Sequence, residues 1–109
     1  MSTVSRRQKI EAMLADDPTD TFLRYSLAME LHKEGELERG LELVRSLMRD
    51  TPPHVPAFFR SGQWLAAMGR IEEARAALRA GIDAARVQGD AHAAGEMSEF
   101  LTSLGAYGE

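Results

Sequence analysis

Cysteine is absent from this chain of 109 residues, which excludes disulfide bonds, thiolate zinc sites and cysteine nucleophiles. Long apolar runs are absent too: none approaches the roughly 20 residues of a membrane span, and residues 1–10 are too polar for a signal peptide. Lysines and arginines are scattered through a chain of formal net charge −4, whereas nucleic-acid binding requires a clustered basic face. We therefore expect a cytoplasmic protein that binds neither nucleic acid nor a membrane.

Motifs that carry catalytic or cofactor chemistry are also missing. The three histidines, His32, His54 and His92, do not pair at the i, i+4 spacing of a helical zinc site. Many carboxylates lie next to predicted turns, as in residues 34–42. This position favours solvated surface groups over a catalytic acid–base pair. No phosphate-binding loop, nucleophile elbow or dinucleotide-binding fingerprint occurs. The sequence predicts no enzyme activity, no metal and no cofactor.

The chain contains an internal repeat. Displacing the sequence by 34 residues, the distance from position 31 to position 65, superimposes identical residues. The identical pairs are Leu31 on Leu65, Gly35 on Gly69, Glu38 on Glu72 and Arg45 on Arg79. The same register extends back to Pro18, which precedes Pro52 by one period, and it slips by two residues before the last predicted helix. A period of this length is typical of stacked helical repeats.

Local signals set the ends of the predicted helices, and scarce proline with abundant alanine favours helix between them. Residues that can cap a helix start are Ser5 with Gln8, Asp20 and Asp90. Gly35 and Gly69 follow apolar turns, where a glycine with positive φ commonly ends a helix. The sequence predicts an all-α protein with six helices, over residues 5–16, 21–34, 37–50, 55–68, 71–88 and 90–104.

The helix–turn–helix period resembles the tetratricopeptide repeat. The order of large, small and glycine positions typical of that family occurs twice. The first occurrence comprises Leu27, Ala28, Leu31, Gly35, Gly40, Val44, Leu47 and Pro52. The second comprises Phe58, Gly62, Leu65, Gly69, Ala74, Leu78 and Gly81. The departures are Arg24 for a large apolar residue, Ser61 for leucine and Arg86 for proline.

This resemblance implies a right-handed superhelical stack of antiparallel helix pairs, an α-solenoid of about six helices. We expect one domain over residues 1–109. Its predicted parts are an N-terminal capping half-repeat at 5–16, complete repeats at 21–54 and 55–88, and a C-terminal capping helix at 90–105. Ala28 and Gly62 are expected to be buried where paired helices approach closely, facing Gly40 and Ala74 respectively.

In this family the first helices of successive repeats line a concave binding surface, so the resemblance also implies a partner site. The residues that it places there are Phe22, Tyr25, Met29 and His32 on the first such helix, Phe59, Arg60 and Gln63 on the second, and Glu96 and Glu99 on the last. Helical spacing independently puts the first four on one stripe. Exposed aromatic residues and arginine are favoured binding anchors, although Phe22 and Phe59 could instead complete the core.

The predicted function is a non-catalytic module that binds a peptide or protein in this groove. Chaperone-tail-binding members use lysine, asparagine and arginine at positions that here hold Tyr25, Met29, Arg60, His92 and Glu96. That partner class is disfavoured, because Glu96 would repel a terminal carboxylate. The alternative is a structural protein that self-assembles, for example as a homodimer, through its end helices. An exposed apolar stripe on helix 5–16 or 90–104 would favour assembly, and exposed groove aromatics would favour the binding module.

Overall fold

The computed structural model describes residues 4–108, and the side chains of residues 4–105. Its helices are α1 (Arg6–Asp16), α2 (Thr21–Lys33), α3 (Leu37–Met48), α4 (Val55–Ala67), α5 (Ile71–Val87) and α6 (Ala91–Gly108). Each begins within one residue of its predicted start, and the described chain contains no strand. The predicted all-α fold of six helices is confirmed.

Side-chain caps explain why three helices begin where they do. The Ser5 hydroxyl accepts a hydrogen bond of 3.1 Å from the Gln8 amide, and the Gln8 side chain accepts one of 2.9 Å from the Ser5 amide, which completes the predicted capping box. Asp20 accepts a bond of 2.8 Å from the Leu23 amide, and Asp90 one of 3.0 Å from the Ala93 amide. Each cap satisfies an amide that has no partner within its helix.

Glycines with positive φ end α2 and α4, as predicted. Gly35 has a φ of 85° and Gly69 a φ of 78°. After Gly35 the amide of Glu36 donates back to the Leu31 carbonyl over 2.8 Å, and after Gly69 the amide of Arg70 donates to the Leu65 carbonyl over 2.9 Å. These are Schellman closures, in which glycine adopts a backbone conformation that Cβ would strain.

The last helix extends further than the sequence predicts. The sequence predicts that the last helix ends at residue 104, just before Gly105, which takes the place of Gly69 in the repeat, but α6 continues to Gly108. Gly105 does not adopt positive φ. Glycine permits the left-handed conformation without imposing it, and it is also compatible with a right-handed helix. The glycine therefore remains within the helix.

The chain divides into two compact units, Met1–Leu47 and Met48–Glu109. In the first unit, α2 and α3 meet at backbone distance. A Cβ atom placed on Gly40 would lie 3.1 Å from the carbonyl oxygen of Ala28, which is fully buried as predicted. Beside this contact, Arg24 donates from Nη2 to the Ser46 hydroxyl over 3.0 Å. Arg24 thus links the same two helices where the repeat pattern usually has a large apolar residue.

In the second unit, α4, α5 and α6 enclose a core in which glycines leave space for large side chains of neighbouring helices. Gly62 is buried as predicted, and the atoms nearest to an added Cβ belong to Leu78: its Cδ2 would lie 2.6 Å away. Leu78 is long enough to reach across the space that glycine leaves. A Cβ on Gly81 would lie 2.5 Å from both Phe58 Cβ and Met97 Sδ, so this glycine lets α4 and α6 pack on α5.

A buried arginine also joins α5 to α6. Arg75 is only 5% exposed, and its Nη2 donates to the Leu104 carbonyl over 3.0 Å. Its Nη1 contacts the Glu72 carboxylate, which balances the buried charge. The C-terminal part of α6 is therefore held by a charge-assisted hydrogen bond as well as by apolar packing.

Candidate functional site

The predicted partner-binding residues fall in both units, and each set is described within its own unit. On α2, in the first unit, Phe22 is 73% exposed, whereas Tyr25, Met29 and His32 are half-buried. Phe22 therefore does not complete the core. Its large exposed apolar surface is the kind of anchor that a binding partner covers.

Phe22 lines a hollow between α1 and α2, which we call the α1–α2 hollow. It has a volume of about 140 Å³ and is lined by Arg6, Lys9, Ile10, Met13, Phe22, Leu23 and Ser26. Met13 is 49% exposed, so the hollow has an apolar wall open to solvent. Its cations differ in their pairing: Arg6 binds Glu30 over 2.7 Å, whereas Lys9 has no ion pair within the described part of the chain.

In the second unit, three of the predicted residues come together between α4 and α6. Phe59, Glu96 and Glu99 line a hollow of about 320 Å³ with Phe100 and Ser103, which we call the α4–α6 hollow. The rings of Phe59 and Phe100 lie 6.0 Å apart between centroids and are tilted by 59°. This is a favourable aromatic pair, and it forms an apolar base for the hollow.

The predicted Arg60 and Gln63 do not line the α4–α6 hollow. Arg60 is exposed on α4 and donates from Nη1 to the Gln63 side-chain oxygen over 3.5 Å. They lie three residues apart, on adjoining turns of one helix. Arg60 and Gln63 therefore present a polar surface of α4, while Phe59 turns towards α6.

Phe100 is a residue of this site that the sequence analysis missed. It lies four residues after Glu96, and Ser103 lies four residues after Glu99, so helical spacing places all of them on adjoining turns of α6. That spacing was the available signal. The resemblance placed Glu96 and Glu99 on the binding surface but did not place Phe100 there.

The charge of the α4–α6 hollow comes from two carboxylates, those of Glu96 and Glu99. Glu96 lies 3.4 Å from His92, measured from Oε1 to Nε2, and the contact is an ion pair only when that histidine is protonated. Glu99 has no ion pair within residues 4–105, and neither glutamate is bound by lysine or arginine there. The Ser103 hydroxyl donates to the Phe100 carbonyl over 2.6 Å, so it turns acceptor lone pairs outward.

Two further features concern metals and membranes. Among the described residues, no group of three or more histidine, aspartate or glutamate side chains is placed to hold a metal ion. None of the helices in that part of the chain combines the length and apolar character needed to cross a bilayer.

The chain matches no family model. It is 30% identical to the TPR repeat-containing protein PA0015 of Pseudomonas aeruginosa over 95 residues, which cover 87% of this chain and 90% of that protein. The solution structure of the protein BPP2914 from Bordetella parapertussis superimposes with a TM-score of 0.80 at 26% identity, and the match covers 98% of this chain and 91% of that one.

The recurring glycine-ended helices, together with these likenesses, define a helical repeat protein. The chain belongs to the tetratricopeptide repeat (TPR) family. Membership of this family indicates, in general terms, a protein–protein interaction module.

Proposed function

We propose that this protein is a non-catalytic interaction module that binds a peptide or protein segment on the faces of its first helices. The proposed partner-binding residues are Phe22, Tyr25, Met29 and His32 on α2, and Phe59, Arg60, Gln63, Glu96 and Glu99 on α4 and α6. The cytoplasmic location expected from the composition is part of this proposal. The α4–α6 hollow is the observation that carries it, because aromatic surface there lies beside carboxylates that no lysine or arginine of the described chain binds.

Such a surface favours binding for two physical reasons. Covering aromatic area removes it from water, which supplies affinity at about 25 cal/mol per Å² before the costs of association. Charged groups at the edge then restrict which segments fit, because an unmatched charge is costly to desolvate. A surface built from a few short helices is small, so we expect an affinity in the micromolar range.

The test begins by capturing partners from a cell extract with the intact chain, identifying them, and measuring the affinity of a purified partner by calorimetry. Tyr25→Ala combined with Arg60→Glu is expected to abolish binding while the circular dichroism spectrum stays helical. Arg79→Glu is the control for the charge reversal, since Arg79 is also an exposed arginine and lies on α5. Normal partner binding by the double variant would refute the proposal.

A second candidate function is self-association through the end helices, which the exposed Met13 on α1 favours, together with the exposed Phe22 on the adjoining α2. Two copies could bury these side chains against each other and form a homodimer. Sedimentation equilibrium over a range of concentrations measures this directly. If the candidate is right, the chain dimerises and Met13→Lys returns it to monomer. A monomer at all concentrations would eliminate it.

A further inference from the structure

We propose that the α4–α6 hollow receives a cationic side chain, lysine or arginine, of the bound segment. The inference rests on the proposed function, since it names the chemistry of the partner at one part of the surface. It follows from the base of the hollow, from its edge, and from the hydrogen-bonding character of its polar groups.

The base of the hollow is aromatic. Phe59 is half-buried against Phe100, with the ring centroids 6.0 Å apart. The face of an aromatic ring is electron-rich and attracts a cation within about 6 Å of its centroid. The aliphatic stem of lysine or arginine can also cover ring surface while its charged end remains near the edge of the hollow. An aromatic base therefore suits a long cationic side chain along its whole length.

The edge of the hollow is acidic, and among the described residues its carboxylates are contacted by one histidine, His92, and by no lysine or arginine. Glu96 and Glu99 are exposed and lie three residues apart on α6, so their carboxylates are close enough to repel. Two other glutamates of this unit have arginine partners: Glu73 binds Arg70 over 2.5 Å, and Glu72 binds Arg75. No arginine or lysine among the described residues binds Glu96 or Glu99. A guest cation would relieve the repulsion and supply the missing partner.

The polar groups that line the hollow are acceptors. Ionised carboxylates only accept hydrogen bonds, and the Ser103 hydroxyl already uses its proton on the Phe100 carbonyl over 2.6 Å. A guest must therefore donate. Lysine offers three N–H groups and arginine five, whereas an acidic guest would be repelled and an apolar one would leave the carboxylates desolvated and unpaired. The volume of about 320 Å³ accommodates a single side chain.

Amide chemical-shift titration of the 15N-labelled intact chain tests this inference with defined probes. The probes are the Nα-acetyl methylamides of arginine, lysine and norleucine, the last being an uncharged side chain of similar length to lysine. We expect saturable shifts at Glu96, Phe100 and Ser103 with the two cationic probes and none with norleucine at equal concentration. Equal shifts with all three probes, or no shifts with the cations, would overturn the inference.

Variants locate the effect. Glu96→Gln combined with Glu99→Gln removes both charges. This variant is expected to bind the arginine probe with an affinity at least fivefold lower. Glu42→Gln combined with Asp83→Asn removes the same charge from exposed positions on α3 and α5, and it is expected to leave the probe affinity unchanged. Circular dichroism establishes that both variants are folded. An unchanged affinity in the Glu96/Glu99 variant would contradict the proposed site.

The same variants separate this inference from the proposed function. If the Glu96/Glu99 variant binds a natural partner normally while Tyr25→Ala with Arg60→Glu abolishes that binding, the interaction module stands and the cation site fails. If the cationic probes bind as expected while the Tyr25/Arg60 variant binds the partner normally, the hollow takes cations and the proposed first-helix surface fails.

Discussion

Single small residues determine how closely the helices of each unit approach. Gly81 is the clearest case, because Phe58 from α4 and Met97 from α6 both occupy the space where its Cβ would lie. Gly95 has nothing within 4 Å of such an atom and lies exposed within α6. The two glycines thus share a helical backbone but differ in their surroundings, which makes them a matched pair for a test of packing.

Gly81→Ala is expected to destabilise the protein by about 1–3 kcal/mol, because Phe58 Cβ is fixed to the backbone and cannot move aside cheaply. Gly95→Ala is expected to stabilise it by about 0.5–1 kcal/mol, since alanine loses less backbone entropy in a helix. Urea unfolding followed by circular dichroism measures both free energies. Equal effects at the two positions would contradict the described packing of the second unit.

Ser61 is a polar residue at a position where the repeat pattern usually has leucine. It is fully buried, and its hydroxyl has no hydrogen-bond partner in the part of the chain that the structure describes. A buried hydroxyl without a partner lowers stability, because it loses its bonds to water and gains none. Ser61→Ala is therefore expected to raise the free energy of unfolding by about 1 kcal/mol. A clear decrease in thermal stability would show instead that the hydroxyl makes a stabilising bond.

At the scale of helices, the sequence predicted most of what the structure contains. Helix starts were predictable at Ser5, Asp20 and Asp90 because a capping side chain acts within three residues, and that distance is visible in the sequence. The same locality made Gly35 predictable as a helix end. Gly105 was mispredicted because glycine also fits within a helix, and its spacing from the other glycines does not distinguish the two conformations.

The candidate site was less predictable, because exposure depends on packing between helices. Helical spacing identified Phe22 and Phe59 as members of their stripes but could not tell surface from core. In the structure Phe22 is 73% exposed, whereas Phe59 is half-covered by Phe100. The pairing of α4 with α6 covers Phe59. This pairing joins residues 41 positions apart in the sequence, from 59 to 100.

The link between α5 and α6 gives a prediction about a whole element. Arg75→Ala removes the donor to the Leu104 carbonyl and is expected to cost about 1.5–3 kcal/mol, the usual contribution of a hydrogen bond to a charged group. Arg79→Ala, on the exposed face of the same helix, is the control and is expected to change stability by less than about 0.5 kcal/mol.

Amide hydrogen exchange shows which part of the chain loses stability in this variant. In Arg75→Ala, amides near Leu104 are expected to exchange faster, while those of α2 keep their protection. Uniform loss of protection in both helices would mean that Arg75 supports the whole chain and does not specifically hold α6.

Taken as a whole, the molecule carries hollows of different charge. The α1–α2 hollow has Arg6 and Lys9 at its edge, and the α4–α6 hollow has Glu96 and Glu99. The formal net charge of −4 therefore does not describe each hollow, since one is lined by basic and the other by acidic side chains. Since charge at the edge of an interface governs partner choice more than affinity, the hollows would select different segments.

Amide chemical-shift mapping with a captured partner tests the central claim, that this TPR protein binds through the faces of its first helices. The account predicts shifts concentrated in α2, α4 and α6, with the largest at Tyr25, Phe59 and Glu99. The second helices, α3 and α5, would remain largely unaffected. Shifts confined to α3 and α5, with α2, α4 and α6 unchanged, would contradict it.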